Sequence, residues 1–194
     1  MEQKLKQRIL QLYQQFKNED AHKENRLEKW RNLEPESAEL ISIMIKVQQS
    51  KNVLEIGTSN GFSTLWFADA LKSSNGKLVS IEIEESRTQQ AKAHLTDLQL
   101  AENVELITAD AGAFLTDTQP IYDLIFLDAE RKNYVAYWPY LKNLLAKKGA
   151  LLVVDNIISH HQEVEEFLSM IQSHSDFTSS IVNVGAGILL VTKQ

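Results

Sequence analysis

One stretch limits what this chain can fold into more than any other: Asn52 to Ser63, Asn-Val-Leu-Glu-Ile-Gly-Thr-Ser-Asn-Gly-Phe-Ser. Val53, Leu54 and Ile56 form a short apolar run with a β-branched bias. A turn with glycines at 57 and 61 ends it, and Phe62, Leu65, Trp66, Ala68 and Leu71 follow at helical spacing. Strand, glycine turn and helix open a nucleotide-binding βα unit. The glycines let backbone approach a ligand where a Cβ would block it, and amides at the helix start can face a polar group. The spacing is G-x-x-x-G. It is neither the G-x-G-x-x-G of dinucleotide binders nor a P-loop, since no Gly-Lys-Ser/Thr follows. That spacing disfavours a dehydrogenase. Glu55, at the strand end, opposes a pyrophosphate and suits a cationic ligand. The plain alternative is an ordinary βα turn.

The elements around this stretch set the fold class. Leu5, Ile9, Leu12 and Phe16 predict an amphipathic helix over 2–18, lying on the domain or on a partner. Pro35 starts a second helix before strand one. Further strands are expected at 77–84, 103–107, 122–127 and 150–154, with helices at 62–72, 85–98 and a short one from Asp110. A long connection containing Trp138-Pro139 leads into a helix ending near Lys148, with Gly149 as its stop signal. Ser159 with Gln162 fits a capping box for a helix over 160–173. Strands at 177–184 and 188–192 flank Gly185-Ala186-Gly187 and read as a hairpin. The expected fold is α/β: a Rossmann-like, doubly wound sheet of five parallel-type strands. A C-terminal hairpin adds one antiparallel strand, and extra N-terminal helices precede the sheet.

The 194 residues suit one domain, with 1–32 as a helical extension. No apolar run approaches the ~18 residues of a membrane span, and the polar N-terminus carries no signal-peptide core. The absence of cysteine excludes disulfides and thiolate chemistry and favours a cytoplasmic location. A net charge of −6 leaves no general basic footprint for nucleic acid.

Ligands of a doubly wound sheet sit outside the carboxyl ends of its strands. There the chain offers Gly57-Thr58-Ser59, Glu82, Asp110-Ala111, Asp128, and Asp155-Asn156. One acid at one strand end is usually a helix cap; a polar group at all five is not. Glu82, 21 residues past Gly61, can accept both hydroxyls of a ribose. Asp110 can cap its helix or bond an adenine amino group. Asp128, Asp155 and Asn156 are oxygen donors on strand ends that, if adjacent, lie about 5 Å apart. Oxygen donors without His or Cys favour Mg²⁺, with Mn²⁺ or Ca²⁺ as substitutes.

The set resembles the class I S-adenosylmethionine-dependent O-methyltransferases of the catechol and caffeoyl-CoA type. Leu-Glu-Ile-Gly-Thr-x-x-Gly-Phe-Ser is similar to that family's first cofactor motif. Leu127-Asp128-Ala129-Glu130 with Asn133-Tyr134 resembles its first metal motif, and Val154-Asp155-Asn156 its second. Leu33-Glu34-Pro35-Glu36 resembles the segment that closes over the cofactor. The likeness covers roughly residues 30–193. It implies that Glu55, Gly57, Thr58, Ser63 and the backbone near Leu33 hold the methionine part of S-adenosylmethionine. Glu82 would bind ribose, Asp110 and Ala111 line adenine, and Asp128, Asp155 and Asn156 bind the metal, with Asp128 also near the cofactor amino group.

The implied reaction is methyl transfer to a hydroxyl of a small molecule, or of a modified tRNA nucleotide, by a cytoplasmic homodimer that uses no membrane. One departure stands out. Arg131 occupies the place of the family's basic lysine, and arginine does not give up its proton. Lys132 and His160 (or His161) are the other candidate bases. The family's catechol-binding acid near the C-terminus has no match in Ile181 to Ile188. A second reading is a non-catalytic module that keeps the cofactor fold.

Overall fold

Strand β1 (Asn52–Ile56) is buried along all but its first residue, as a strand covered on both faces requires. The computed structural model describes residues 1–145 and 147–194. In it β1 pairs in parallel with β2 (Lys77–Glu82) on one side and β4 (Leu124–Leu127) on the other. Beyond β2 lies β3 (Val104–Thr108), and beyond β4 lies β5 (Leu151–Val154), both parallel. The final hairpin, β6 (Phe177–Val182) and β7 (Ile188–Lys193), docks through β7, which runs antiparallel to β5. The order is β3-β2-β1-β4-β5-β7-β6. The chain therefore winds outward in two directions from β1, and a crevice opens between β1 and β4 at the carboxyl edge. The doubly wound fold is as expected.

Strand alternation divides the core into two layers. Leu54, Ile56, Ile125, Leu127, Leu152 and Val154 face one layer, with side chains of α5 (Ala111–Asp117), α6 (Tyr134–Leu144) and α7 (His161–Gln172). Val53, Leu78, Leu124, Phe126 and Val153 face the other. There they meet α1 (Gln3–Ala21), α2 (Pro35–Gln48), α3 (Phe62–Leu71) and α4 (Glu85–Asp97). Ile9 and Phe16 of α1 belong to this second layer. That part of the stripe thus covers its own domain, so a chain cut at residue 18 would lose core. Among the described residues no helix is long and apolar enough to cross a membrane.

Three local expectations are corrected. Trp138-Pro139 is not a connection: α6 runs through Pro139, because Tyr134, Tyr137, Trp138, Leu141 and Leu144 bury one helical face. That packing outweighs the missing amide of the proline. The helix ends at Leu144, before the expected stop, and Ala146 within the expected span lies outside the described residues. The Ser159–Gln162 capping box does not form. His160 stands at the N-cap of α7 without a side-chain cap, and the Ser159 hydroxyl pairs with His160 Nδ1 instead.

Candidate active site

The carboxyl edge of the sheet opens into a cavity of about 540 Å³. Its floor is the turn after β1. Gly57 has φ +106°, and any Cβ there would collide with the Asp128 carbonyl. Gly61 has φ +90°, and its Cβ would press on Ala91 of α4. Both glycines thus let neighbouring backbone and helix come close, and Gly57 also lines the cavity. Thr58 and Ser63 line the floor, and the Thr58 hydroxyl lies 2.6 Å from Ser80 Oγ.

Glu55 corrects the sequence reading. It shares the strand face of Val53, so it points toward α3 and not into the cavity. Its carboxyl is fully buried and accepts from Ser63 Oγ (2.5 Å), Thr64 Oγ1 (2.6 Å) and Ser80 Oγ (2.6 Å). Burial pushes its pKa up to about 7, against the pull of those three hydroxyls. Its reach to the cavity is through Ser63.

Glu82 ends β2 on one side. Its two oxygens accept from the amides of Ser59 (2.8 Å) and Glu84 (3.0 Å), which fixes the carboxylate at the cavity wall. Asp110 caps α5 by accepting from Ala113 N at 2.9 Å, and it also lines the cavity with Ala111. The cap uses only Oδ1 of the Asp110 side chain.

On the other side β4 and β5 are neighbours, and their ends bring Asp128, Asp155 and Asn156 together. The Asn156 amide nitrogen donates to Asp128 Oδ1 (3.2 Å) and Asp155 Oδ2 (2.9 Å), from a residue in the left-handed region at φ 67°. Asp155 Oδ1 is buried without a partner. Burial raises Asp128 to about 6. Burial and then the neighbouring Asp128 charge raise Asp155 to about 8. Among the described residues no three His, Cys, Asp or Glu side chains are grouped as an ion would need; the cluster is two carboxyls and an amide.

Arg131 is buried at the wall with Nε 2.8 Å from Glu163 Oε2, which holds the guanidinium in place. Lys132 is exposed and is not among the lining residues, so it does not reach the cavity. His160 lines the mouth. Burial, then the Arg131 charge, lowers its pKa, so the ring is neutral at neutral pH.

Leu33 lines the cavity as expected, within a strap over residues 26–34 that the sequence reading left largely without roles. Asp20 at the end of α1 accepts from the amides of Trp30 (2.7 Å) and Arg31 (3.0 Å). Ser59 Oγ donates to the Trp30 carbonyl, and Arg31 reaches Glu130 at 3.0 Å on the far rim. Arg31 sits at φ 52°, a conformation no residue pattern announces.

A family model described as O-methyltransferase matches residues 7–194. The chain belongs to this O-methyltransferase family. The catechol O-methyltransferase of Mycobacterium tuberculosis is 35% identical over 140 residues, 63% of this chain and 61% of that protein. The catechol O-methyltransferase of Niastella koreensis is 29% identical over 139 residues, 70% of this chain and 62% of that protein. The chain thus spans about three fifths of the length of these curated relatives. Among solved structures, the O-methyltransferase of Bacillus cereus in complex with SAH superposes with a TM-score of 0.81 at 23% identity, covering 100% of this chain and 92% of that one. The O-methyltransferase TomG of Streptomyces achromogenes in complex with SAM gives 0.80 at 26% identity, covering 100% and 91%.

Proposed function

We propose that this O-methyltransferase family member transfers the methyl group of S-adenosylmethionine to a hydroxyl oxygen of a small molecule or modified nucleotide, with a divalent ion at Asp128, Asp155 and Asn156. One observation carries the reading. A single cavity at the crevice between β1 and β4 has the fixed Glu82 carboxylate on one wall and the Asp128–Asp155–Asn156 cluster on the other. The cofactor-bound members of the family with the same fold support it.

Each residue then has a physical task. Glu82 accepts the ribose hydroxyls along its free lone pairs. Asp110 and Ala111 border the adenine edge. Ser63 donates its proton to Glu55, so it turns lone pairs toward the cavity and the α-amino group of the cofactor. A divalent ion fits the cluster by donor chemistry: two buried carboxyls that repel each other, one orphaned oxygen, and an amide whose oxygen becomes available when it turns over. Such an ion would polarise a hydroxyl oxygen and lower its pKa. Arg131 stays protonated and steadies negative charge at the acceptor oxygen. His160, held neutral at the mouth, is the group able to take a proton, and Lys132 is withdrawn from that role.

The test is thermal melting followed by turnover. S-adenosylhomocysteine should raise Tm and NADH should not. Labelled methyl should then pass to an ortho-diphenol or hydroxylated nucleoside when Mg²⁺ is present. Stabilisation by NADH alone overturns the reading.

A further inference from the structure

Arg131 has a second edge that the protein does not use. Its side chain is 5% exposed and lines the cavity. Among the described residues its one hydrogen bond runs from Nε to Glu163 Oε2, at 2.8 Å. A guanidinium carries five N–H donors in a flat fork, and this bond takes one of them. The edge formed by Nη1 and Nη2 has no acceptor from the protein, and neither nitrogen is sealed away from solvent. The bond to Glu163 holds the fork in one orientation, so the open edge is preset. A planar anion with two oxygens fits such an edge bidentately.

The surroundings of this edge carry an excess of positive charge. After burial, the pKa of His160 at the mouth is set by Arg131, Glu163, Arg26 and Arg31. Arg26 and Arg31 share one carboxylate, Glu130, at 3.9 and 3.0 Å. Three guanidiniums thus meet two glutamates, on a chain whose net charge is −6. The remaining carboxyls of the cavity face elsewhere. Glu34 is packed against the β6–β7 loop, where a Cβ added at Gly185 would lie 2.8 Å from Glu34 Oε2, and its charge is felt at Asp128 and Asp155. Those two aspartates share the Asn156 amide. Both also feel the Arg131 charge, so the open edge and the aspartate cluster border one space.

Taking the methyl-transfer reading as given, we infer that the acceptor is a hydroxylated carboxylic acid: its carboxylate seats on the Nη1–Nη2 edge of Arg131 beside His160, while its hydroxyl lies at the Asp128–Asp155–Asn156 cluster. Arg131 is then a specificity-determining residue. A lysine at this place offers a point charge without the fork, so the arginine selects the anion by shape as well as by charge. An acceptor with the same hydroxyls and an ester in place of the acid brings no charge to the excess guanidinium.

The experiment uses the full chain with S-adenosylhomocysteine and Mg²⁺, and titrates 2,3- and 3,4-dihydroxybenzoate, the methyl ester of each, and catechol. Esterification keeps the ring and both hydroxyls and removes the charge. At least one acid should bind about tenfold or more tightly than its ester, the scale of a hydrogen bond to a charged group. Which isomer does so reports the span from the edge to the cluster. Arg131→Gln should bring that ratio to about one while S-adenosylhomocysteine affinity stays within about threefold. Arg131→Lys should retain part of the ratio. Acids and esters that bind alike overturn the inference, and Arg131 then serves the reacting oxygen alone. So does a ratio that survives Arg131→Gln, or failure of every probe to bind a protein that binds S-adenosylhomocysteine. A cofactor affinity that falls with Arg131→Gln also overturns it, because the edge then holds the cofactor's own carboxylate. Failure to bind S-adenosylhomocysteine at all removes the methyl-transfer reading instead. Should Arg131→Gln not fold, Arg131→Lys decides alone: an unchanged ratio refutes.

Discussion

Glu55→Gln tests how the sheet interior tolerates a carboxyl. In the folded chain this group ionises at about 7, against 4.5 when free, chiefly because burial disfavours the charge. The folded state therefore binds its proton more tightly than the unfolded state. By linkage, the stabilising contribution is complete below about pH 4.5 and is lost as pH rises through about 7. At about 1.4 kcal/mol per tenfold in proton affinity, the whole interval is worth about 3 kcal/mol, of which about 2–3 kcal/mol falls between pH 5 and pH 8. Asp128 and Asp155 contribute in the same direction, with transitions at about 6 and about 8, so the wild-type profile alone does not isolate Glu55. The difference between wild type and Glu55→Gln does.

Glutamine keeps one acceptor oxygen and turns an amide toward hydroxyls that can rotate to accept, so its absolute stability is not the diagnostic. The diagnostic is the slope. Urea unfolding, followed by tryptophan fluorescence in chelator and without cofactor, should show wild type losing about 2–3 kcal/mol more than Glu55→Gln between pH 5 and pH 8. Parallel profiles would refute the reasoning and mean that the hydroxyls of Ser63, Thr64 and Ser80 govern the charge of Glu55, not its burial. The outcome matters at the cavity as well. Ionised Glu55 takes the Ser63 proton, whereas protonated Glu55 can return one, so its state sets whether Ser63 offers the cavity lone pairs or a hydrogen.

Gly57→Ala should cost roughly 2–6 kcal/mol in the same assay, from a strained φ and a collision with the Asp128 carbonyl; Gly149→Ala, at φ +78° with no atom within 4 Å, should cost only about 1–2 kcal/mol. Glu82→Ala should weaken S-adenosylhomocysteine binding by roughly 1.5–3 kcal/mol in a calorimetric titration, and an unchanged affinity removes Glu82 from the site. Asp155→Ala should abolish turnover while cofactor affinity stays within about threefold, about 0.7 kcal/mol; full turnover in excess chelator would sink the metal assignment. Arg131→Lys should keep or raise turnover, and its pH profile should gain a limb from a titrating amine.

The doubly wound sheet and the rim of polar residues were legible because each parallel strand is a short apolar run with a polar group at or just past its end. Glu82, Asp110, Asp128 and Asp155 all stand where that rule puts them. Glu55 was misplaced although the signal was there: alternation from Val53 puts it on the α3 side, one residue before the strand turns polar. Pro139 misled because a rule about one missing amide was weighed above five buried side chains. Glu34 was marked only through the resemblance of Leu33-Glu34-Pro35-Glu36, and the strap before it carried no signal. What places them is Asp20 reaching across to the amides of residues 30 and 31, and a glycine at 185 that leaves room for a carboxylate. These contacts are distant in sequence and follow no period.

The charges of the cavity form a pattern that no single residue shows. Two of its guanidiniums are each tied to a glutamate, Arg31 to Glu130 and Arg131 to Glu163. Its buried carboxyls have only neutral partners or none: Asp128 and Asp155 share the Asn156 amide, and Glu34 Oε2 has no hydrogen bond, while Glu55 sits behind the floor among hydroxyls. Arg31 and Arg131 draw the Asp128 pKa down, and burial outweighs them. Burial is the first cause of the raised proton affinity of Glu55, Asp128 and Asp155. A sulfonium and a divalent ion are the complement of such a cavity. Binding of a divalent ion near pH 7 then releases protons from Asp128 and Asp155, so its affinity rises with pH up to about 8.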